Sequence, residues 1–403
     1  MKIYLVGGAV RDKLMGLYPK DEDYVVVGSC EKEMLENNFQ KVGKFFPIFL
    51  HPETKAEYAL ARREKINLEN PSQIDFEINH VTLTEDLARR DLTINSMAID
   101  SEGNLVDPFL GNLDLKNKIL RHTSEAFSDD PLRVLRVARF CAKWPDFTIA
   151  EETFILMKKI VQKEYFKNIS SERIVLELTK VFQLEKPSLF FEVLRLCNGL
   201  YHFKELEALI DVPQNAKYHP EGDCWVHTMM VLDASVKTSN HSHELMFAAL
   251  VHDLGKALTK KENLPSHIGH EESGLRAVND LCHRIKVSNN WQDMALVVTQ
   301  YHLKMHRIKE MTANSIVKLF IDIDAFRRPE RLLGLIKVCE ADDLGKLRDH
   351  YEEGEFALKC FEAVKNIKPL NMLEIPEENR KERIRQEKVK VLKKCIREWS
   401  ENV

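Results

Sequence analysis

No apolar run in this chain approaches the roughly 20 residues that a membrane span needs, so no membrane association is expected. Its eight cysteines are scattered through 403 residues, with no Cys-x-x-Cys pair and no zinc-type spacing. They predict free, mostly buried thiols of a reducing compartment and exclude a disulfide framework. The first apolar stretch is too short for a secretory signal. There is no internal repeat and no low-complexity tract, which excludes a repeat array. Neither sign of charge dominates: 59 Lys and Arg face 63 Asp and Glu, for a net charge of −4 and a pI near 6.5. That is below the pI of about 9 that advertises a nucleic-acid-binding domain, although local basic stripes can coexist with an acidic total. What is left is a cytoplasmic enzyme, 44% hydrophobic and 30% charged, long enough for two to four units.

The chemistry begins at the amino end. Lys2 to Val6 is a short run of β-formers and predicts a strand. Gly7-Gly8 ends it and lets backbone approach a ligand closely. Val10 to Leu17 predicts a short helix, with Arg11 adding positive charge in its first turn. Asp21 and Asp23 lead into a second strand at Tyr24-Val25-Val26-Val27, where alternation puts both carboxylates on one face. Two hard oxygen ligands suit Mg²⁺ and two-metal nucleotidyl transfer. A lone Asp-x-Asp is more often a solvated turn; the glycine–arginine start beside it reverses those odds.

Further strands are expected at Phe46–Leu50, Glu57–Ala61 and Met97–Asp100, with a hairpin turn at 101–104. The polar stretch 67–79 predicts a mobile loop. Arg89-Arg90-Asp91 can place a guanidinium over a triphosphate while the Asp fixes its orientation; the plain alternative is a surface ion pair. Asp130 and Arg133, three apart on an expected helix, offer an acceptor and a fork of donors that can pair with a base edge. Arg136 and Arg139 extend that face toward phosphates. A capped, salt-bridged helix explains the same four residues equally well.

The series Gly7–Asp12, Asp21–Asp23, Glu85–Asp100, Val106–Gly111 and Asp129–Phe140 resembles the class II CCA-adding enzymes (tRNA nucleotidyltransferases) of the polymerase-β-like superfamily. The likeness runs from Met1 to about Arg173 and is nearest the bacterial multifunctional CCA proteins. It implies that Gly8 and Arg11 hold the incoming nucleotide, that Asp21 and Asp23 bind the metals, and that Arg90, Arg136 and Arg139 are further nucleotide contacts. Asp130 and Arg133 match the family's base-reading Glu-Asp-x-x-Arg element, with Asp129 where the family often has Glu. Glu57 is a loosely held third carboxylate.

A turn-rich break at 212–222 suggests a domain junction. Beyond it, His252-Asp253 sits on an apolar helix, and burying both costs several kcal/mol unless a metal or partner satisfies them. With His227 before them, the pattern is similar to HD-superfamily phosphohydrolases, in which His…His-Asp…Asp binds a divalent ion that activates water. The resemblance makes Asp342 the distal ligand. His267, His270, His302 and His306 are weaker candidates, each singly more often a core or surface residue. The donors suit Ni²⁺, Mn²⁺ or Mg²⁺ alike.

The fold expected is α+β: a polymerase-β-like nucleotidyltransferase head (1–115), a helical neck (116–212), an all-α HD body (213–350) and a charged helical tail (351–403), solvated on its surface helix from Arg380 to Glu398. The function implied is template-independent CCA addition to tRNA with CTP and ATP, plus an HD phosphohydrolase activity on 2′,3′-cyclic phosphates, 2′-nucleotides or phosphate esters, in a monomer or homodimer. Rival readings are a bacterial poly(A) polymerase, which the HD body argues against, a phosphohydrolase with a relic RNA-binding head, and a non-catalytic RNA-binding module.

Overall fold

The computed structural model describes residues 1–42, 48–66, 74–345, 351–367 and 376–401. By internal contacts the chain divides into two units, one of residues 1–177 and 189–199, the other of 178–188 and 200–403. No described helix is long and apolar enough to cross a membrane.

The first unit is built on a seven-stranded sheet. Its strands are β1 (Lys2–Val6), β2 (Asp23–Val27), β3 (Gln40–Lys41), β4 (Ile48–Leu50) and β5 (Glu57–Leu60), then β8 (Ala98–Ile99) and β9 (Leu105–Val106). Between them β6 (Arg63–Ile66) and β7 (Ile74–Glu77) form a separate hairpin. The sheet order is β3-β4-β5-β2-β1-β8-β9. Among the described strands of this sheet only β2 and β5 pair in parallel, which sets Asp23 beside Glu57. Alternation along β2 serves both faces: Val25 packs with Val6, Leu87 and Ala98, and Val26 with Met34, Phe49 and Leu60. The expected 101–104 hairpin joins β8 to β9. The helices of this region are α1 (Gly8–Leu14), α2 (Glu31–Glu36), α3 (Leu83–Ala88), α4 (Gly111–Lys116), α5 (Leu132–Lys143), α6 (Glu151–Val161), α7 (Glu164–Lys167), α8 (Ser171–Val181) and α9 (Ser188–Leu196).

Two local expectations need correction. Helix α1 starts two residues earlier than the pattern suggested and stops at Leu14; Gly16 follows with a φ of 73°, a conformation that ends helices. Residues 74–77 of the expected loop are strand, paired with Arg63–Ile66; charge at three of the four Arg63–Ile66 positions hid the hairpin. Residues 67–73 of that loop, and 46–47 of an expected strand, lie outside the described residues.

The second unit is helical. After α10 (Lys204–Glu207) come α11 (Cys224–Ser239), α12 (His243–Val251), α13 (His270–Ile285), α14 (Asn289–His306), α15 (Ala313–Asp322), α16 (Pro329–Gly345), α17 (Glu352–Val364) and α18 (Glu377–Glu401). Every residue of α12 from Leu245 to Val251 is buried, as expected of a helix apolar on all sides. It packs against α11, α14 and α16, while α13 packs on α14. The tail helix α18 departs from expectation: it is not solvated all round. Leu392 is fully buried, and Lys388 is buried with Nζ donating to the Val364 carbonyl at 2.5 Å and lying 4.0 Å from the Phe326 ring centre. Its long apolar stem covers surface while its head finds carbonyls, a use that charge density alone does not reveal.

Candidate functional site

In the first unit, a cavity of about 410 Å³ opens between α1, β2, α5 and the segment after α3. Gly8, Arg11, Asp23, Arg90, Asp130, Arg133 and Arg136 all lie on its wall. Sequence positions more than a hundred apart therefore meet at one polar pocket. Gly7 makes the approach close. Its φ is 72°, and a Cβ there would stand 2.8 Å from Arg90 Nη1.

The arginines are held by acids and carbonyls. Arg11 is buried; its Nη1 donates to Asn95 Oδ1 at 2.5 Å and its Nη2 to Asp12 Oδ1 at 2.7 Å. Asp91 does not orient its neighbour Arg90. The fully buried Asp86 does so, pairing with Arg89 at 2.7 Å and Arg90 at 3.4 Å. Asp91 instead accepts from Arg136 Nε at 2.8 Å. Burial alone would raise the Asp91 carboxyl, but Arg136 and Asn95 outweigh it and bring it down to about 2, so Arg136 meets a fixed negative charge. Arg139 departs from expectation. It is not on the cavity wall, and its Nε donates to the buried Glu177 at 2.6 Å; the side chain falls on the face of α5 toward α8.

Asp130 and Arg133 both reach the cavity, but not as two residues of one helical face. Asp130 precedes α5 with extended backbone, the conformation that a following proline imposes. Its Oδ1 accepts from the Leu132 N–H at 3.1 Å and its Oδ2 from Arg173 at 2.6 Å. Arg133 donates to the carbonyls of Ala126 and Arg89, the latter at 2.6 Å. Arg173 and Asn95 also belong to this wall: Asn95 follows the Arg-Arg-Asp triplet and donates to Asp91 at 2.9 Å, whereas Arg173 comes from α8 by tertiary packing and nothing local marks it.

Asp21, Glu22 and Asp23 sort by alternation. Glu22 is occupied by Lys13 at 2.8 Å and the Tyr24 hydroxyl at 2.8 Å. Asp21 and Asp23 share a second cavity, of about 430 Å³, and Asp23 lines both cavities. Although accessible to solvent, Asp23 is partly desolvated by the cleft around it, which raises its carboxyl; Arg90 opposes this and the Asp21 charge adds to it. A pair of oxygen donors whose charges repel at a cleft fits a hard cation such as Mg²⁺. Glu57, though beside Asp23 in register, lines neither cavity.

The second unit gathers histidines from three helices and from the end of a fourth. His227 is on α11 just past the Asp223 cap, which accepts from the Val226 N–H at 2.8 Å. His252 and Asp253 follow α12, His270 opens α13, His302 lies on α14 and Asp342 on α16. His227 Nε2 is 3.6 Å from Asp253 Oδ2 and 3.1 Å from Asp342 Oδ1. His252 Nε2 is 3.3 Å from Asp253 Oδ2. On the other oxygen, Asp253 Oδ1 is 3.1 Å from His270 Nε2 and 3.6 Å from His302 Nε2. The ligand atoms thus form two triads, His227-His252-Asp253 and Asp253-His270-His302, all buried.

Among the buried ring nitrogens that make no hydrogen bond are His227 Nε2 and His252 Nε2, which face Asp253. Such atoms are costly unless something completes them. Imidazole and carboxylate donors converging in this way fit a divalent ion. The charges agree: burial works against ionised Asp253, yet His252 and Lys256 hold it well below the usual carboxylate range. Lys256 Nζ stands 2.6 Å from Asp253 and 2.6 Å from Gln214 Oε1. Burial keeps His302 well below the usual histidine range, hence neutral. Behind His227, Glu221 lies 2.8 Å from Nδ1 and 2.9 Å from His219 Nδ1, a placement that fixes a ligating ring. Glu221 is lowered to about 2: burial works against ionisation, and the bonds from His227, from its own backbone and from His219 outweigh it.

His270 and His302 were undervalued one at a time; only the fold shows that they share Asp253. His306 reaches Asp342 Oδ2 at 2.6 Å. His267 turns to Thr259 and the Pro213 carbonyl and stays out of the cluster. Gly255 explains how α13 comes so near, because a Cβ there would meet the His270 carbonyl at 2.0 Å. Gly255→Ala is therefore expected to cost about 1–3 kcal/mol of stability and to displace His270. Thermal unfolding and bound metal per chain measure both effects, and an unchanged melting temperature with full metal content would contradict the close packing.

A carboxylate-edged polar cavity in a mixed α+β unit and a buried His/Asp centre in a helical unit define a nucleotidyltransferase carrying an HD domain. Residues 3–121 match the poly A polymerase head domain, 146–210 the probable RNA and SrmB-binding site of polymerase A, and 225–346 the HD domain. The chain belongs to the multifunctional CCA protein family. It is 46% identical over 381 residues to the multifunctional CCA protein of Pseudoalteromonas atlantica (strain T6c / ATCC BAA-1087), covering 93% of each chain. With that of Shewanella frigidimarina (strain NCIMB 400) it shares 47% over 374 residues, 91% of this chain and 90% of the relative. Its fold matches a CCA-adding enzyme in apo form II with a TM-score of 0.66 at 21% identity, over 97% of this chain and 88% of the other. A CCA-adding enzyme solved in complex with CTP matches with a TM-score of 0.64 at 22% identity, over 97% and 87%.

Proposed function

We propose that this enzyme adds C, C and A to the 3′ end of tRNA from CTP and ATP without a nucleic-acid template, in the cytoplasm. The division of labour is a head (1–115) for transfer, a neck (116–212) for base choice, an HD body (213–350) and a tail (351–403). The observation that carries the reading is the position of Asp23, on the wall of the arginine-lined pocket and also of the cavity it shares with Asp21. Arg90 and Arg136, each braced by a buried aspartate, hold the triphosphate, with Gly8 and Arg11 at its edge. Mg²⁺ held by Asp21 and Asp23 would supply activation of the attacking ribose hydroxyl and charge neutralisation of the leaving pyrophosphate. Asp130 and Arg133 offer acceptor and donors to the base edge, in place of a template base.

In the body, His227, His252, Asp253 and Asp342 hold a divalent ion such as Ni²⁺, Mn²⁺ or Mg²⁺, with His270 and His302 on the opposite oxygen of Asp253. The ion would supply a hydroxide for hydrolysis of 2′,3′-cyclic phosphates, 2′-nucleotides or phosphate esters, so that a damaged tRNA end is cleared before it is rebuilt.

Incubation with tRNA lacking its terminus tests the first activity. CTP incorporation preceding a single ATP, dependent on Mg²⁺, is expected; long adenosine tails would instead identify a poly(A) polymerase. In the same assay Asp130→Ala should relax the preference for CTP and ATP by about tenfold, the value of one lost base-edge contact, and weaken triphosphate binding less. Unchanged preference would remove Asp130 from base reading.

A further inference from the structure

The arginines on the wall of the nucleotide cavity are held in different ways. Arg90 and Arg136 pair with the buried Asp86 and Asp91, and Arg133 donates to two backbone carbonyls. Arg173 pairs instead with Asp130, the acid assigned to the base edge. Its Nη2 donates to Asp130 Oδ2 at 2.6 Å. The two residues are 43 apart in sequence, and Arg173 enters from the first turn of α8. Its side chain is 44% exposed, so water would satisfy it and the pair adds little to stability. What the contact decides is the orientation of Asp130.

Asp130 Oδ1 accepts from the Leu132 N–H at 3.1 Å, while Oδ2 accepts from Arg173. A donor on each oxygen, one of them cationic, fixes the plane of the carboxylate at the cavity wall. An ionised carboxylate held in this way offers acceptors only. Cytosine and adenine present an amino group, on C4 and C6, where uracil and guanine present a keto oxygen. A fixed acceptor pairs with the amino group and repels the keto oxygen. A carboxylate tethered at Oδ1 alone could swing away from a keto oxygen, and the rejection would weaken.

We infer that Arg173 is a positioning residue for nucleotide choice: it holds the Asp130 carboxylate as a fixed acceptor, so that triphosphates carrying an amino group are taken and those carrying a keto group are refused. The inference rests on the base-reading role proposed above for Asp130.

The test compares the full-length wild-type protein with Arg173→Ala and Arg173→Lys, substitutions at an exposed site where the fold has little to lose. Incorporation of CTP and of UTP is followed on tRNA lacking its terminus, and binding of each triphosphate by titration calorimetry. Arg173→Ala should narrow the ratio of kcat/KM for CTP over UTP by about tenfold, the scale of one base-edge contact, chiefly by admitting UTP. Arg173→Lys keeps a cationic donor and should recover most of the ratio. A ratio within twofold of wild type in Arg173→Ala would overturn the inference. So would an equal fall for CTP and UTP, which would make Arg173 a phosphate contact or a structural residue. If Asp130→Ala relaxes the choice and Arg173→Ala does not, the role of Arg173 fails and that of Asp130 stands. If Asp130→Ala leaves the choice intact, base reading by Asp130 fails and the inference falls with it. If the wild type binds CTP over UTP but adds neither, and Arg173→Ala erases that preference, the positioning role stands and the transferase reading falls.

Discussion

Asp23→Asn is expected to abolish nucleotide addition, by a factor on the order of 10³ or more in kcat, the scale of several kcal/mol of metal-borne charge stabilisation. The substitution keeps the size and shape of the side chain and removes its charge. Asp23 is exposed at the start of β2, so the fold has little reason to suffer and the melting temperature should hold. Asp21→Asn should be severe as well, but Asp21 lines one cavity only while Asp23 lines two, so Asp23 is expected to be the more costly loss. Radiolabelled CTP incorporation on truncated tRNA gives the rates, and hydrolysis of a 2′,3′-cyclic phosphate by the same preparation serves as the control. Retention of even a tenth of wild-type incorporation would remove Asp23 from metal binding. Joint loss of both activities in a folded variant would end the two-site division.

The head was legible because its chemistry is local in sequence. A β-run, a glycine pair, an arginine and two aspartates lie within Lys2 to Asp23, and the period-2 pattern around Val25 and Val26 fixed which way they face. What escaped was of two kinds. Arg90 has Asp91 beside it and Asp86 four residues back, and it is the i,i+4 pair that forms; Arg139 turns away because Glu177 on α8, 38 residues on, captures it. Only the second choice lies beyond the local spacing. The same limit explains the body. His252-Asp253 stands out as an adjacent buried pair, but His270 and His302 are single histidines on amphipathic helices, and what gives them meaning is the contact of Gly255 with the His270 carbonyl. The tail helix erred in the other direction: its charge density suggested solvent on every side, while a narrow stripe at Lys388 and Leu392 docks.

Asp253 is the residue on which the body depends, and Asp253→Asn is expected to strip its metal. The side chain is buried, with one oxygen toward His227, His252 and Lys256 and the other toward His270 and His302. No other candidate ligand among the described residues belongs to both buried triads. Removing its charge also leaves Lys256 without its ionic partner, so a loss of stability of about 3–5 kcal/mol, as for a broken buried pair, accompanies the change. His302→Gln separates the two effects, because that ring is neutral and its loss strands no charge. After loading with Ni²⁺ or Mn²⁺, plasma mass spectrometry should find the body of Asp253→Asn empty, whereas His302→Gln, which disturbs one triad only, should retain metal at lower affinity by about 10- to 100-fold, the range seen when a metal site's support is weakened. Phosphohydrolase activity should vanish in the first and fall in the second, with CTP incorporation preserved in every variant that stays folded. Wild-type metal content in a folded Asp253→Asn protein would mean that the histidines cluster for packing alone, and the orphaned nitrogens of His227 and His252 would then need another explanation.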